Sequence, residues 1–376
     1  MSRVGLSADF HIANHRVLGG PVVAGVNLRC RLIGETARRA FQIAADDGCD
    51  YFAILGDIFD NGKPSPEVIG VMADAIAASP IPVYVIPGNH DCSSDEVGNH
   101  ALAALRKVAN CRVVDEPTLI GTVLFAPFSP RPPVEYFSNI IQRFPATEYV
   151  LGHVGIIGDS TPIFLTGGRN TISVEQIFEI KKRHPALRGW VAGDFHKHER
   201  FARGVNDGLD IIQAGALCQA NFGDPQEVGR LCILDKTGYG YIDVLPVVVP
   251  GPRFVTMSPH PFNDFIALGR GEGLDDCDVF ISVSCADEKE QRRVTDLLEG
   301  LTEAGWLKSG RHDARLRQIR GWKVELVPSA KAASEVVEAV RGAVQVEEAL
   351  GEWAAAQLVP EAVKQRATQI AEECLR

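Results

Sequence analysis

Short motifs built from aspartate, histidine and asparagine recur along the first 200 residues of the chain. Their carboxylates, imidazoles and carboxamide are hard oxygen and nitrogen ligands without a thiolate. Such a set suits Mn²⁺, Mg²⁺ or Fe²⁺ better than copper or a structural zinc. Two ions held about 3.5–4 Å apart can bind both the attacking and the leaving oxygen of a phosphoryl transfer. The motifs are DFH (9–11), GDIFD (56–60), GNHD (88–91), GH (152–153) and GDFHKH (193–198).

Each motif follows a short apolar segment that we interpret as a β-strand. The carboxyl ends of strands in an open α/β sheet border one crevice, so the side chains that follow them should converge there. A lone GD or GH is usually part of a turn, but five such motifs in series predict a metal site. The predicted strands are 3–8, 51–55, 83–86, 149–151, 189–192 and 210–214, followed by a hairpin at 230–245 with its turn at 236–238.

The remaining patterns predict a layered α/β core followed by two smaller units. Helical stretches at 35–47 and 65–79 alternate with the first strands, as in α/β proteins. A Pro/Gly-rich segment at 247–253 indicates a domain boundary. The second unit combines strands with a helix that Asp287 would cap, and the third is an Ala/Glu-rich helical tail. The predicted domains are residues 1–248, 254–328 and 332–376.

Composition and charge narrow the class of protein further. Apolar residues make up 45% of the 376 residues, which indicates a folded chain of two or three domains. Nine scattered cysteines without a C-x-x-C pair argue for reduced thiols. A net charge of −10 argues against a general nucleic-acid coat, but not against a nuclease with local phosphate contacts. Without a secretory segment or an apolar run of roughly 20 residues, we expect a cytoplasmic protein that makes no membrane contact.

The series of motifs over residues 3–215 resembles the calcineurin-like metallophosphoesterase superfamily. Within it, GDIFDNGKPSPE, IPVYVIPGNHD and IIQAGALCQANFGD are most similar to SbcD-type DNA double-strand-break repair exonuclease subunits. The resemblance implies an α/β fold: a two-sheet sandwich flanked by helices, with a small α+β cap domain and a C-terminal helical tail. It also implies a DNA exo/endonuclease that hydrolyses phosphodiester bonds with water activated by two metal ions.

The resemblance implies metal-binding roles at the matching positions. Asp9 and His11 would bind the first ion, and Asp57 would bridge both ions. Asn89 and His153 would bind the second ion. The implied cofactors are two divalent cations, with Mn²⁺ favoured and Mg²⁺ or Fe²⁺ as alternatives.

Two further residues have implied catalytic roles. His90 occupies the position of a family histidine that stabilises the transition state or protonates the leaving oxygen, and Asp91 would orient it. Imidazole suits this role because it exchanges a proton near neutral pH. For Asp60, at the end of GDIFD, the pattern favours a turn or a helix cap instead.

The last motif departs from the family pattern Gly-His-x-His, and two registers are open. In the first, Asp194 replaces the first histidine and binds metal two, while His196 binds metal one. In the second, His196 and His198 form the pair. We favour the first register because Gly193 directly follows the strand and allows a tight turn. His198 is then a loop residue or a phosphate contact, with the loop role favoured, and it stays a possible ligand. The added carboxylate favours Mn²⁺ or Mg²⁺ further.

The basic segment 308–323 stands out in an acidic chain. Solvated charge is the usual role of such a segment, but its contrast with the acidic remainder makes it a candidate DNA contact, and phosphate contacts would make DNA binding strongly salt-dependent. The tail would dock an SMC-like coiled-coil ATPase or pack against the protein's own body, and the family resemblance suggests a homodimer. The candidate DNA-binding residues are Arg311, Arg315, Arg317 and Arg320.

Two alternatives compete with the nuclease hypothesis. A small-molecule or cyclic-nucleotide phosphodiesterase of the same superfamily would use the same metals without needing a cap or a tail. A catalytically weak DNA-binding scaffold would keep the fold, and only the aspartate at position 194 favours it. A protein Ser/Thr phosphatase fits less well, because GDIFDNG lacks the arginine usual in that branch.

Overall fold

The computed structural model describes most of the chain up to residue 326. The described residues are 3–16, 18–94, 98–159, 161, 168–203, 208–224, 229–235, 242–246, 252–260, 262, 279–303 and 319–326. Their α-helices are α1 (Leu28–Asp46), α2 (Pro66–Ala77), α3 (Pro133–Arg143), α4 (Val174–Arg183) and α5 (Glu288–Glu303).

Nineteen strands lie in these ranges. They are β1 (Arg3–Ser7), β2 (Val22–Val23), β3 (Val26–Asn27), β4 (Tyr51–Leu55), β5 (Val83–Ile86), β6 (Cys111–Val113), β7 (Thr118–Ile120), β8 (Val123–Ala126), β9 (Tyr149–His153), β10 (Gly155–Ile157), β11 (Thr171–Ser173), β12 (Gly189–Gly193), β13 (Glu199–Ala202), β14 (Asp210–Gln213), β15 (Arg230–Asp235), β16 (Ile242–Pro246), β17 (Arg253–Met257), β18 (Val279–Cys285) and β19 (Ile319–Leu326).

Two six-stranded sheets form the body of the protein. The first has the order β16-β15-β1-β4-β5-β6 and the second β13-β14-β12-β9-β8-β7. Strands β1, β4, β5 and β6 are parallel, as are β14, β12, β9 and β8. Every strand predicted before a motif is present, and the predicted hairpin is the antiparallel pair β15–β16, whose turn lies outside the described residues.

The two sheets pack face to face through one apolar layer. Leu6 and Leu55 from the first sheet share a fully buried cluster with Phe125, Leu151 and Val191 from the second. Such burial contributes roughly 1.5–3 kcal/mol for each large side chain. Helices α1 and α2 cover the outer face of the first sheet, and α3 and α4 cover that of the second. The α/β sandwich flanked by helices, as predicted, is therefore confirmed.

Helix α1 begins earlier than its predicted start at residue 35. Asn27 caps it by accepting a hydrogen bond from the Cys30 N–H. Gly34, which weakens the helical pattern, is a packing residue: a Cβ there would lie 2.4 Å from Val71 Cγ1 of α2. Its missing side chain thus lets the two helices approach closely, and tertiary packing outweighs the low helix propensity of glycine.

Seven elements between residues 111 and 183 have no counterpart in the sequence prediction, namely β6, β7, β8, α3, β10, β11 and α4. Strand β8 is an apolar run of four buried residues without alternation, and β6 and β7 have three residues each. Runs this short give no measurable period. Helix α4 does have a clear sequence signal that was not used in the prediction, a capping box between Ser173 and Gln176.

A separate three-stranded parallel sheet follows the body, in the order β17-β18-β19. Helix α5 packs on it through Val294 and Leu298, and Asp287 caps this helix as predicted, with Oδ1 accepting from the Glu290 N–H at 2.8 Å. The described strands and helix therefore form a small parallel sheet with one packed helix, while the predicted α+β cap domain and its boundaries stay predictions. The tail 332–376 and Arg311, Arg315 and Arg317 lie outside the described residues, and Arg320 lies in β19.

No helix in the described part of the chain is both long enough and apolar enough to span a lipid bilayer.

Candidate metal centre

Four residues of the predicted site adopt left-handed backbone conformations that L-residues rarely occupy. The φ angle is 54° at Asp9, 45° at His11, 50° at Asp57 and 104° at Asp194. Conformations of this kind cost about 1–3 kcal/mol each and cluster at functional sites. The loops after β1, β4 and β12 therefore store backbone strain where the motifs predicted chemistry.

Backbone contacts hold the first two loops together. The Asp9 N–H donates to the Gly56 carbonyl at 3.1 Å, and the His11 N–H donates to the Asp57 carbonyl at 3.0 Å. Gly88 lies directly beside them: a Cβ at this position would be 2.2 Å from Asp57 Oδ1. The glycine of GNHD is therefore required so that the third loop can pass the Asp57 carboxylate.

Two groups of side chains could each hold a metal ion. One consists of His11, Asp57 and His90, and the other of Asp9, Asp57 and His153, with the ligand atoms of each group within 4.8 Å of one another. Asp57 belongs to both groups, in agreement with a bridging position. The grouping also differs from the expected one, because His90 lies within ligand distance and Asp9 groups with His153 rather than with His11.

The His153 ring faces a cluster of oxygen atoms. Its Nδ1 lies 2.8 Å from the Leu55 carbonyl oxygen and so donates a proton to it. Its Nε2 faces Asn89 Oδ1 at 2.7 Å and carboxylate oxygens of Asp57 and Asp194 at 3.5 Å each. With Nδ1 protonated, a neutral ring presents a lone pair to three acceptor oxygens. Such a cluster requires a cation, either a proton on Nε2 or a metal ion.

A second convergence involves His11 and His196. Their Nε2 atoms lie 3.0 Å apart. The Nδ1 of His196 contacts Asp224 Oδ1 at 2.8 Å, and the Nδ1 of His11 lies 3.5 Å from Asp60 Oδ1. Each imidazole thus has a carboxylate behind it and directs its other nitrogen at the same point. A carboxylate behind a histidine ligand fixes its tautomer and raises its basicity, as in many metal sites.

The donor set fits two divalent cations. Carboxylate oxygens, imidazole nitrogens and one amide oxygen face one another, and no cysteine sulfur takes part in either group. When bound, divalent cations supply Lewis acidity that polarises a phosphoryl group and makes water more acidic. The residues positioned to hold them are Asp9, His11, Asp57, Asn89, His153, Asp194 and His196.

The electrostatics of the cluster agree with this assignment. Burial raises the pKa of Asp9 to about 6. Burial also opposes ionisation of Asp57, but His153 and neighbouring histidines lower its pKa to about 2. Burial alone would lower the pKa of His153 and that of His196. Instead, the nearby Asp57 raises the pKa of His153, and Asp224 raises the pKa of His196 to about 9. These shifts favour protonation of His153 and His196 when no metal is bound, so metal binding should release protons.

The structure corrects the expected role of Asp91. Its buried carboxylate does not orient the His90 ring, whose Nδ1 instead lies 3.0 Å from the Asp60 carbonyl oxygen. Burial and the nearby Asp57 raise the pKa of Asp91 to about 7. Asp91 joins the second and third loops through bonds accepted from the backbone N–H groups of Ile58 (3.3 Å), Phe59 (2.9 Å) and Gly88 (2.9 Å).

The residues of GDFHKH occupy different surroundings. The Asp194 N–H donates to the Asp9 carboxylate, and the Asp194 side chain lies 3.5 Å from His153. His196 meets His11, whereas His198 Nδ1 contacts the carbonyl oxygen of Ala214. The structure thus brings Asp194 and His196 to the cluster, the arrangement of the first register.

We expect Asp194→Ala and His198→Ala to have different effects on metal binding. Asp194→Ala removes a charged oxygen beside His153 and should weaken binding of one of two Mn²⁺ ions by about tenfold or more. His198→Ala should leave both affinities within about twofold of wild type. Calorimetric titration with Mn²⁺ measures both. Loss of binding in His198→Ala with retention in Asp194→Ala would show that the second register is correct.

Two residues of the centre were not predicted as functional. Asp60 lies beside His11 and was expected to be a turn or capping residue. Its position three residues after Asp57, within a motif already suspected of metal binding, was an available signal. Asp224 contacts His196 but follows the last motif by more than 20 residues. It ends the segment IIQAGALCQANFGD, whose resemblance to the nuclease family was an available signal.

One known protein family matches more than half of the chain. The family described as calcineurin-like phosphoesterase matches residues 3–198, which is just over half of the chain. The chain therefore belongs to the calcineurin-like phosphoesterase family, and this makes it a metallophosphoesterase, a hydrolase of phosphate esters. No match was found among curated proteins.

Several solved structures are similar to parts of the chain. A dimetal phosphatase from Danio rerio is 12% identical over 65% of this chain and 98% of its own, with a TM-score of 0.39. A protein of Thermus thermophilus is 12% identical over 65% of this chain and 98% of its own, with a TM-score of 0.40. An archaeal phosphodiesterase is 14% identical over 65% of this chain and 99% of its own, with a TM-score of 0.35.

Proposed function

We propose that the protein is a metal-dependent DNA exo/endonuclease that hydrolyses phosphodiester bonds and works in DNA repair, with Mn²⁺ as its preferred metal. The observation that carries the hydrolytic part is the shared position of Asp57 in two groups of potential metal ligands. The nuclease part is supported by the resemblance of GDIFDNGKPSPE and IIQAGALCQANFGD to repair exonucleases. A sheet-and-helix unit after the body agrees with the order of domains in those nucleases.

His90 is the residue best placed to move a proton in this reaction. Its ring is at the exposed side of the cluster and packs edge-on to His11, with centroids 4.9 Å apart. Its Nδ1 donates to the Asp60 carbonyl oxygen, so Nε2 is the nitrogen left to interact with substrate. The backbone N–H of His90 donates to Asp57 Oδ1 at 2.9 Å, and this bond fixes the position of His90 relative to the bridging carboxylate. We assign His90 Nε2 to stabilising charge on the phosphoryl oxygens or protonating the leaving oxygen.

The remaining parts of the proposal concern substrate and partners. DNA phosphates would contact the basic segment, including Arg311, Arg315, Arg317 and Arg320, and binding would then weaken steeply with salt. The tail 332–376 would dock a coiled-coil ATPase of the SMC type, helix against helix. A homodimer completes the proposed assembly. These assignments stay predictions.

A comparison of three substrates tests the nuclease assignment. We expect the wild-type protein with Mn²⁺ to degrade linear double-stranded DNA, and chelation to abolish this activity. Bis-p-nitrophenyl phosphate should be hydrolysed as a generic phosphodiester, and cyclic nucleotides should react much more slowly than DNA. Preferred hydrolysis of a cyclic nucleotide with intact DNA would instead identify a small-molecule phosphodiesterase. Metal binding without hydrolysis of any of the three would indicate a DNA-binding scaffold.

A further inference from the structure

We propose that Asp224 is a positioning residue for the metal ligand His196, and that strand β17 of the cap domain holds Asp224 in place. Cap docking and metal binding would then be coupled. The inference rests on the proposed metal assignment of His196 but not on DNA as the substrate.

The contact between Asp224 and His196 fixes one imidazole nitrogen. Asp224 Oδ1 lies 2.8 Å from His196 Nδ1, and the Asp224 side chain is only 8% exposed. Its second oxygen accepts hydrogen bonds from the backbone N–H groups of Ala220 and Asn221. The carboxylate therefore cannot rotate away without breaking its loop contacts. The proton of His196 stays on Nδ1, and Nε2 is held toward His11.

Gln219 connects this loop to the cap domain. Its side chain is fully buried, and Oε1 accepts a hydrogen bond from the Phe254 N–H at 2.8 Å. Its Nε2 faces the carbonyl oxygens of Phe254 at 3.3 Å and Asp224 at 3.4 Å. One amide side chain thus pairs with the backbone of β17 and with the backbone of the residue that orients His196. A buried amide left without these partners would destabilise the loop, because its polar atoms would lose their hydrogen bonds without gaining water.

Arg29 of helix α1 completes the contact. Its guanidinium lies over the Phe254 ring, 4.5 Å from the centroid, and donates to the Ala220 carbonyl oxygen. Phe254 also stacks on Phe280 of β18, with centroids 5.0 Å apart, and both pack with Leu32 of α1 in one buried cluster. The segment 219–224 is consequently held between the body and the cap, and its position depends on both.

This arrangement makes the cap domain part of the support of the metal centre. If β17 leaves the body, Gln219 loses both contacts to Phe254, and the loop that carries Asp224 loses an anchor. The first metal site should weaken as a result. Because linkage is reciprocal, filling that site should stabilise the docked cap by the same free energy. A ligand that moves the cap would thereby change metal occupancy.

The test compares three variants of the full-length protein. Asp224→Asn removes the charge behind His196, and Gln219→Leu removes the link to β17. Asp115→Asn is the matched control, because Asp115 Oδ1 lies 2.9 Å from a different buried histidine, His100 Nε2, outside the metal centre. Mn²⁺ affinities are measured by following free Mn²⁺ with electron paramagnetic resonance. Amide hydrogen exchange in residues 253–257 reports on docking of β17, and thermal unfolding confirms that each variant folds.

For Asp224→Asn we expect a loss of about 10–100-fold in affinity at one of the two Mn²⁺ sites, the usual effect of removing such a partner. Gln219→Leu should weaken the same site by a smaller factor and speed exchange in β17. In the wild type, Mn²⁺ should slow this exchange, and in Asp224→Asn that protection should be lost. Asp115→Asn should retain both affinities and the protection.

Several outcomes would overturn the inference. Folded Asp224→Asn protein with two wild-type affinities would show that Asp224 does not position a ligand. An equal loss of affinity in Asp115→Asn would show that the effect is general destabilisation. If Mn²⁺ does not change the rate of amide hydrogen exchange in β17 of the wild-type protein, the cap is not coupled to the metal centre. Wild-type protein that binds no Mn²⁺ at all would contradict the metal assignment itself, together with this inference.

Discussion

His90→Ala protein should bind two Mn²⁺ ions and hydrolyse phosphodiesters about 10²–10⁴-fold more slowly than the wild type. The expected defect lies in kcat, because the free Nε2 of His90 acts on charge that develops in the transition state. Its Nδ1 donates to the Asp60 carbonyl oxygen, so the ring is fixed in place while Nε2 can still act on the substrate. Steady-state kinetics on DNA and bis-p-nitrophenyl phosphate, together with Mn²⁺ titration, measure both quantities.

The control for this variant is His184→Ala. His184 terminates α4 and contacts none of the predicted metal ligands among the described residues. Activity and metal binding of His184→Ala should match the wild type. If His90→Ala loses one Mn²⁺ ion, His90 is a ligand, as its place beside His11 and Asp57 permits, and its proton-transfer role is wrong.

Asp57→Asn protein should lose high-affinity binding of both ions and retain less than about 10⁻³ of the wild-type activity. Asp57 is the only residue shared by the two groups of potential ligands found among the described residues. The asparagine keeps an oxygen that can accept the His90 N–H, so the third loop should keep its position. The substitution therefore tests the negative charge of the bridging carboxylate, because it leaves the shape of the site unchanged.

The measurement for Asp57→Asn is again Mn²⁺ binding, with thermal unfolding to show that the fold is intact. Asp115→Asn serves as the control, since it also neutralises an aspartate beside a buried histidine. If Asp57→Asn binds one Mn²⁺ ion with wild-type affinity, Asp57 serves a single site. The two-ion arrangement proposed for the centre would then be incorrect.

The sequence predicts the central residues of the metal centre because these residues lie at or just after the ends of predicted strands. Asp57 lies one glycine beyond a strand of five buried residues, and the ends of parallel strands lie at one edge of the sheet. The same logic places His153 and Asp194, whose strands β9 and β12 are neighbours. For these residues, the local pattern and the topology lead to the same position.

Other features depend on contacts that no local pattern encodes. The loop of Asp224 contacts distant segments: Gln219 pairs with Phe254, and Arg29 donates to the Ala220 carbonyl oxygen. Asp91 was expected to orient His90, because the family resemblance implies that role. Its full burial turns it instead toward three backbone N–H groups, because a buried carboxylate must be hydrogen-bonded.

Asp194 adds a negative charge beside His153. Its carboxylate adds to those of Asp9 and Asp57, and its backbone N–H in turn stabilises the Asp9 carboxylate. A cluster with three carboxylates and no thiolate favours hard cations over zinc or copper. The left-handed conformation of Asp194 shows that the loop stores strain to hold this carboxylate in place.

Anomalous diffraction from a Mn²⁺-soaked crystal is the most direct test of the two-metal centre. Two anomalous peaks are expected: one among Asp9, His11, Asp57 and His196, and the other among Asp57, Asn89, His153 and Asp194. A crystal with saturating Mn²⁺ and no peak among these side chains would contradict the metal centre. A single peak would contradict the bridging role of Asp57.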